Sequence, residues 1–313
     1  MKKDSKIAII TADDMVGSAI YRLLQQDGYY NLLPVKNDSL NLMDQQAVFS
    51  WYDANQPDYV FCFAGPHGGI IANVTYPADF IYQNLTIQNH IIHGAYLYKV
   101  KKLLFMAGNC AYPKVCKQPI EESDFQTGVM EPTSVAYSMA RCAGIEMCLA
   151  YNRQYETCFI PAIFTNYFGI NDDYSENGHV LASIMQKMYD AKCNGEPQLV
   201  LWGTGEPLRQ FLYMDDLARG AICIMENMET PELINIAGGY EKSIREVAEA
   251  LKDLIGYSGH IIFDSSKPNG TMRKCLDNTK LKALGWQELV SWEDGLQNAY
   301  EWFLEYGTKN NLE

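Results

Sequence analysis

Along the first half of the chain, apolar positions follow two alternating periods. Ile7–Ile10 is a short unbroken apolar run, after which Val16, Ile20, Leu23 and Leu24 recur at helical spacing. Leu32–Val35, Tyr59–Ala64 and Leu103–Ala107 are further β-rich runs, and helical patterns fall near Gln83–Tyr98 and Tyr137–Tyr155. Short strands separated by helices predict βαβ units, hence a parallel sheet covered on both faces. Such a sheet takes its ligands beyond the carboxyl ends of the strands, where the strand order reverses. After Phe159 the pattern is broken by turn-rich segments at Asn166–Tyr174 and Gly203–Arg209, and helical spacing returns at Ser243–Ile255 and around Trp292–Tyr306. The expected fold class is α/β: a Rossmann-type doubly wound parallel sheet with a smaller α/β substrate-binding lobe. Residues 1–165 and 212–240 are assigned to the first and 166–211 and 241–313 to the second.

Charge narrows the class of partner. The 313 residues carry 38 acidic and 25 basic side chains, a formal balance of −13. Nucleic acid and anionic membrane need a basic footprint, so neither is expected as a partner, although a locally basic pocket for a small anion fits within an acidic protein. Nine cysteines are scattered without a CxxC pair, which predicts reduced thiols and a cytoplasmic location rather than a disulfide framework or zinc site. No apolar run approaches the length of a membrane span. His67, His90, His93 and His260 lack ligand partners at suitable spacing, so no metal site is expected.

Five strings carry a resemblance: Gly68–Asn84 (GGIIANVTYPADFIYQN), Cys110–Lys114 (CAYPK), Ala143–Tyr155 (AGIEMCLAYNRQY), Gly203–Ala218 (GTGEPLRQFLYMDDLA) and Lys267–Trp286 (KPNGTMRKCLDNTKLKALGW). Together they resemble the GDP-L-fucose synthase family of the extended short-chain dehydrogenase/reductase superfamily, over about residues 7–286. The resemblance implies an enzyme, usually a homodimer, that inverts C3 and C5 of a GDP-4-keto-6-deoxy-mannose and reduces its C4 ketone with NADPH. The segments Gln83–Tyr98 and Tyr137–Tyr155 correspond to the family's dimer helices.

Against that family the cofactor half departs. The expected GxxGxxG fingerprint reads Thr11-Ala-Asp-Asp14-Met15-Val16-Gly17, with only the last glycine kept. The first glycine serves a tight turn and the second the close approach of backbone N–H groups to a pyrophosphate. Asp13 and Asp14 place negative charge there, and as residues they read as an ordinary acidic cap for the following helix. The family's arginine for the 2′-phosphate aligns with Val35, beside Lys36. In the Ser/Tyr/Lys set, the serine aligns with Gly108, with Asn109 as a neighbouring amide donor. Tyr137 stands, and Arg141 replaces the lysine, keeping charge but not shape. Thr11, Asp14, Met15, Val16, Gly17, Lys36 and Arg141 are thus candidates for a degenerate dinucleotide site. Hydride transfer is expected to be lost or impaired. NADP(H) enters only through the resemblance, and no cofactor is expected to be required for the epimerisation.

The epimerising half is retained by resemblance. Cys110 and His179 match the family's proton-exchanging pair, and a thiol and an imidazole suit proton exchange beside a ketone near neutral pH. Tyr137 is the candidate donor to the enolate oxygen, with Arg141 supplying positive potential. Asn166, Lys187, Trp202, Arg209 and Lys274 match the sugar-nucleotide side. The expected function is a nucleotide-sugar epimerase acting at C3 and/or C5 of a GDP-4-keto-6-deoxy-hexose or a relative. The alternatives are an NADPH-dependent epimerase/reductase and a non-catalytic sugar-nucleotide-binding partner of an active homologue.

Overall fold

A computed structural model describes residues 1–175, 178–267 and 269–307. In chain order the first part holds β1 (Ile7–Ile10), α1 (Met15–Gln26), β2 (Leu32–Val35), α2 (Gln45–Asn55), β3 (Tyr59–Cys62), α3 (Ile70–Thr75), α4 (Pro77–Leu97), β4 (Lys102–Gly108), α5 (Val135–Tyr155) and β5 (Phe159–Phe164). Next come β6 (Asn166–Phe168), α6 (Val180–Cys193), β7 (Gln198–Trp202), β8 (Leu208–Tyr213), α7 (Met214–Asn227) and β9 (Ile234–Ile236). The last part holds β10 (Tyr240–Ser243), α8 (Ile244–Ile255), β11 (His260–Asp264), β12 (Arg273–Lys274), α9 (Thr279–Ala283) and α10 (Trp292–Trp302).

Six parallel strands form the main sheet in the order β2-β1-β3-β4-β5-β9. Both faces are covered, which is why β1 and β5 are apolar at every position and buried throughout. One core joins the sheet to α1 and α7, and the other joins it to α2, α4 and α5. At about 1.5–3 kcal/mol for each large apolar side chain buried, these two layers supply the main favourable term. The strand order reverses at β1 and β3, so the crevice for a ligand opens beyond their carboxyl ends.

A smaller layer stands over that crevice. Strand β8 pairs with β6, β10 and β12, β7 pairs with β11, and α6, α8 and α10 close a third core. Asp216, wholly buried on α7, accepts from the backbone N–H groups of Leu289 and Val290 and so fixes the chain leading into α10. Helix α8 starts on a reciprocal cap between Ser243 and Glu246 and stops at Gly256, the start and stop that its sequence spells. Helix α4 begins six residues before its expected start, because Pro77 takes the first helical position, where its missing N–H is harmless. Residues 308–313 of the expected second lobe lie outside the described residues. Among the described residues no helix is long and apolar enough to cross a membrane, and no cluster of three or more potential ligands suits a metal ion.

Candidate functional site

Between the main sheet and the smaller lobe lies a cavity of about 410 Å³. Its lining brings together Cys110, Tyr137, Asn166, His179, Lys187, Trp202, Arg209 and Lys274. Thr11, Asp14, Met15, Val16, Gly17, Lys36 and Arg141 are not on its surface.

Cys110 sits in a one-turn 3₁₀ segment directly after β4, at the carboxyl edge of the sheet. Burial pushes its thiol above the ordinary range, and the positive charge of Lys274 offsets part of that. Lys274 is itself buried and donates to the Asn109 carbonyl at 2.9 Å. Tyr137, near the start of α5, is also raised by burial and pulled back by the charge of Arg141. The Arg141 guanidinium carbon lies 5.2 Å from the Tyr137 ring centroid. Gly108 leaves open room: a Cβ there would meet Cys110 Sγ at 3.7 Å and Tyr137 Oη at 3.9 Å. Beside it, the Asn109 Nδ2 is buried and has no hydrogen-bond partner, an unspent amide donor.

His179 is the residue before α6, and its Nδ1 lies 3.2 Å from Asp172 Oδ1. Burial alone would lower its pKa, but the Asp172 hydrogen bond and charge outweigh that and the net shift is upward. Asp172 went unrecognised in the sequence, although an Asp-Asp pair seven residues before a histidine was the available signal. On the same lining, burial pulls Arg209 down to about 10. Glu131, buried, faces Arg209 and is held by Lys114 and Thr271. Asn166 donates to the Gln210 carbonyl at 3.3 Å, and Trp202 ends β7 half-exposed, with the Lys267 amino group over its ring.

The first turn, behind the cavity, keeps its shape without its first two glycines. Thr11 holds φ at +59°, and its hydroxyl donates to the Ile10 carbonyl at 2.6 Å. Gly17 is required for contact: a Cβ there would stand 2.1 Å from the Thr11 carbonyl oxygen. The expected acidic cap is corrected. Asp14 occupies the cap position of α1 but makes no side-chain cap bond; it accepts from Asn37 Nδ2 at 2.8 Å, and Asp13 accepts from the Asn37 N–H at 2.9 Å. Both carboxylates are thus turned to the segment after β2. Burial raises the Asp14 pKa, with the charge of Asp13 adding to it. Asn171, next to Asp172, donates to the Asp13 carbonyl at 3.1 Å.

Behind Tyr137 stands a buried cation. Arg141 is wholly buried, and none of its guanidinium nitrogens has a hydrogen-bond partner. An unpaired buried cation is costly, and here its charge is spent on holding down the pKa of Tyr137. Between this point and α1, Phe63, Phe164 and Tyr167 pack edge to face as a wall.

The sequence profile of the NAD dependent epimerase/dehydratase family matches residues 9–237, and the chain belongs to that family, in its GDP-L-fucose synthase branch. It is 43% identical to the GDP-L-fucose synthase of Escherichia coli (strain K12), over 93% of this chain and 94% of the relative. Among solved structures, the GDP-mannoheptose C4 reductase of Campylobacter jejuni with NADP bound superposes with a TM-score of 0.87 at 35% identity, covering 97% of this chain and 99% of that one. A GDP-L-fucose synthetase from Naegleria fowleri bound to NADP gives 0.89 at 28% identity, covering 98% and 96%. These relatives overturn the expectation that no cofactor is required: the fold and branch to which the chain belongs work with NADP in those proteins. They also favour the combined epimerase/reductase over an epimerase that has lost its reducing half.

Proposed function

We propose that this chain is a nicotinamide-dependent nucleotide-sugar epimerase/reductase whose substrate is a GDP-linked 4-keto-hexose. One observation carries the reading: Cys110, Tyr137 and His179, the last bonded to Asp172, line the same cavity as Lys187, Arg209 and Trp202. The cations suit a diphosphate, and the indole suits a base or its ribose.

With the ketone beside Tyr137, a carbon flanking it gives up its proton to Cys110 or His179. The C–H electron pair enters the enolate, and the partner group returns a proton on the opposite face. Tyr137 and the unspent Asn109 amide donate hydrogen bonds to the enolate oxygen, where the negative charge collects. When bound, the dinucleotide supplies the hydride to the ketone carbon. Tyr137 then gives its proton to the ketone oxygen, and Arg141 stabilises the phenolate left behind. The backbone at the start of α1 would hold the cofactor, while Arg141, buried off the cavity surface, would act on Tyr137 through its charge.

The test is incubation with GDP-4-keto-6-deoxy-mannose in deuterated water, with and without NADPH. Deuterium is expected at the carbons flanking the ketone, and NADPH is expected to be consumed. Cys110→Ser is expected to lose the exchange, and Tyr137→Phe to lose the reduction by about 100-fold or more. Wild-type protein that neither exchanges deuterium nor oxidises NADPH overturns the reading.

A further inference from the structure

Position 67 is used by neither the proton exchange nor the reduction, yet His67 lines the same cavity, next to His179. Its ring stacks on His179 with centroids 6.0 Å apart and planes 20° apart, and the Phe63 ring supports it at 5.0 Å. The loop that presents it is braced. Gly65 has φ +109°, and a Cβ there would stand 2.4 Å from Asn84 Oδ1. Asn84, wholly buried on α4, donates to the Pro66 carbonyl at 2.9 Å and to the Phe80 carbonyl at 2.7 Å. The histidine therefore projects from a turn fixed by a glycine-only conformation and a buried amide.

Its tautomer follows from its one bond. The Nδ1 lies 3.3 Å from the Gly65 carbonyl oxygen, which only accepts, so Nδ1 carries the hydrogen and Nε2 keeps its lone pair. Burial pulls its pKa down to about 4, and the charges of His179 and Arg141 push the same way, against Gly65 and the more distant Asp173. The imidazole stays neutral over the working range. A neutral, anchored imidazole with a free lone pair is an acceptor that needs a donor. Tyr137 and Asn109 are donors already committed to the ketone, and a sugar ring offers hydroxyls.

We propose that His67 is a specificity-determining residue: through Nε2 it accepts a hydrogen bond from a hydroxyl of the bound sugar, and so selects hydroxylated over deoxygenated rings at that position. The proposal rests on the cavity's being a sugar-nucleotide site, and it does not depend on turnover. A site built to meet a hydroxyl discriminates against the analogue that lacks it, because the buried acceptor is then left unpaired.

Binding to GDP-mannose and to GDP alone is measured by calorimetry on wild type, His67→Phe and His67→Gln. Phe keeps the ring stack and removes the nitrogen, whereas Gln restores an acceptor oxygen. Wild type is expected to bind GDP-mannose more tightly than GDP. His67→Phe is expected to weaken GDP-mannose about tenfold and leave GDP unchanged, and His67→Gln to recover most of the loss. Among 2-deoxy, 3-deoxy and 6-deoxy forms of GDP-mannose, one is expected to bind wild type as weakly as the parent binds His67→Phe, with no further loss in that variant. Equal weakening of GDP and GDP-mannose, no weakening in either variant, or no wild-type preference for GDP-mannose over GDP overturns the proposal. Failure of the deuterium and NADPH assays with this binding pattern intact would sink the reaction assignment and leave the role of His67 standing.

Discussion

Gly108 is where a single side chain separates this site from a Ser/Tyr pair. Its φ is −73°, open to any residue, and the added Cβ has ordinary contact distances to Cys110 and Tyr137. Gly108→Ser is therefore expected to be tolerated and to place a hydroxyl beside the phenol, raising the NADPH oxidation rate with a 4-keto sugar about tenfold or more. An unchanged rate would show that the Asn109 amide already fills that role. His179 offers a second residue-scale prediction. Its folded pKa lies above the unfolded value, so the imidazolium contributes stability that is complete below the ordinary value of about 6.5 and is lost as pH rises through the raised folded value. Asp172→Asn is expected to shrink the difference in melting temperature between pH 5.5 and pH 8.5, and an unaltered difference would show that the pair does not set the shift. Neither Asp172 nor His67 was legible as a site residue in the sequence. What makes each a candidate is a partner brought by another segment: Asp172 curls back onto His179, and His67 comes from the sheet edge to stack on a ring from the other lobe. Cys110, His179 and Tyr137 were legible because the strings around them are local and specific.

At the scale of elements, the wall of Phe63, Phe164 and Tyr167 stands between the N-terminus of α1 and the end of α5 that bears Tyr137 and Arg141. A dinucleotide reaching from one to the other passes Phe63. Phe63→Ala is expected to cost about 3 kcal/mol of stability as a buried aromatic truncation and yet to tighten NADPH, read by fluorescence titration. Asp14→Gly is expected to tighten it further by removing a desolvated carboxylate from the pyrophosphate's approach. In wild type, NADPH is expected to bind more strongly as pH falls through the raised pKa of Asp14, because protonation removes the repulsion. NADPH affinity that is unmoved in both variants would place the cofactor off this path. Strands β1 to β4 were legible as plain apolar runs, whereas β5, which starts where the apolar pattern breaks, was not. The small strands β6, β10 and β12 were not. They are two to four residues long, and they exist through pairing with β8 rather than through a pattern of their own.

Over the whole molecule, charge is divided unevenly. The chain is acidic overall, but the cavity lining gathers Lys187, Arg209 and Lys274, with Glu131 the one acidic side chain among the described lining residues. Walls of low polarity focus that field, so a diphosphate is expected to bind despite the net charge, and more weakly as salt rises. Arg209→Ala is expected to weaken GDP about tenfold in calorimetry, and equal affinity would remove Arg209 from the phosphate contacts. The one hydrogen bond from Asn171 to the Asp13 carbonyl ties the segment carrying Asp172 to the turn at the head of α1. An occupant of the turn that shifts Asp13 is therefore expected to alter the proton affinity of His179, and by linkage the reverse holds with the same factor. The turn at the head of α1 and the imidazole are, in that sense, joined by an amide and by the packing of Met15 and Tyr167.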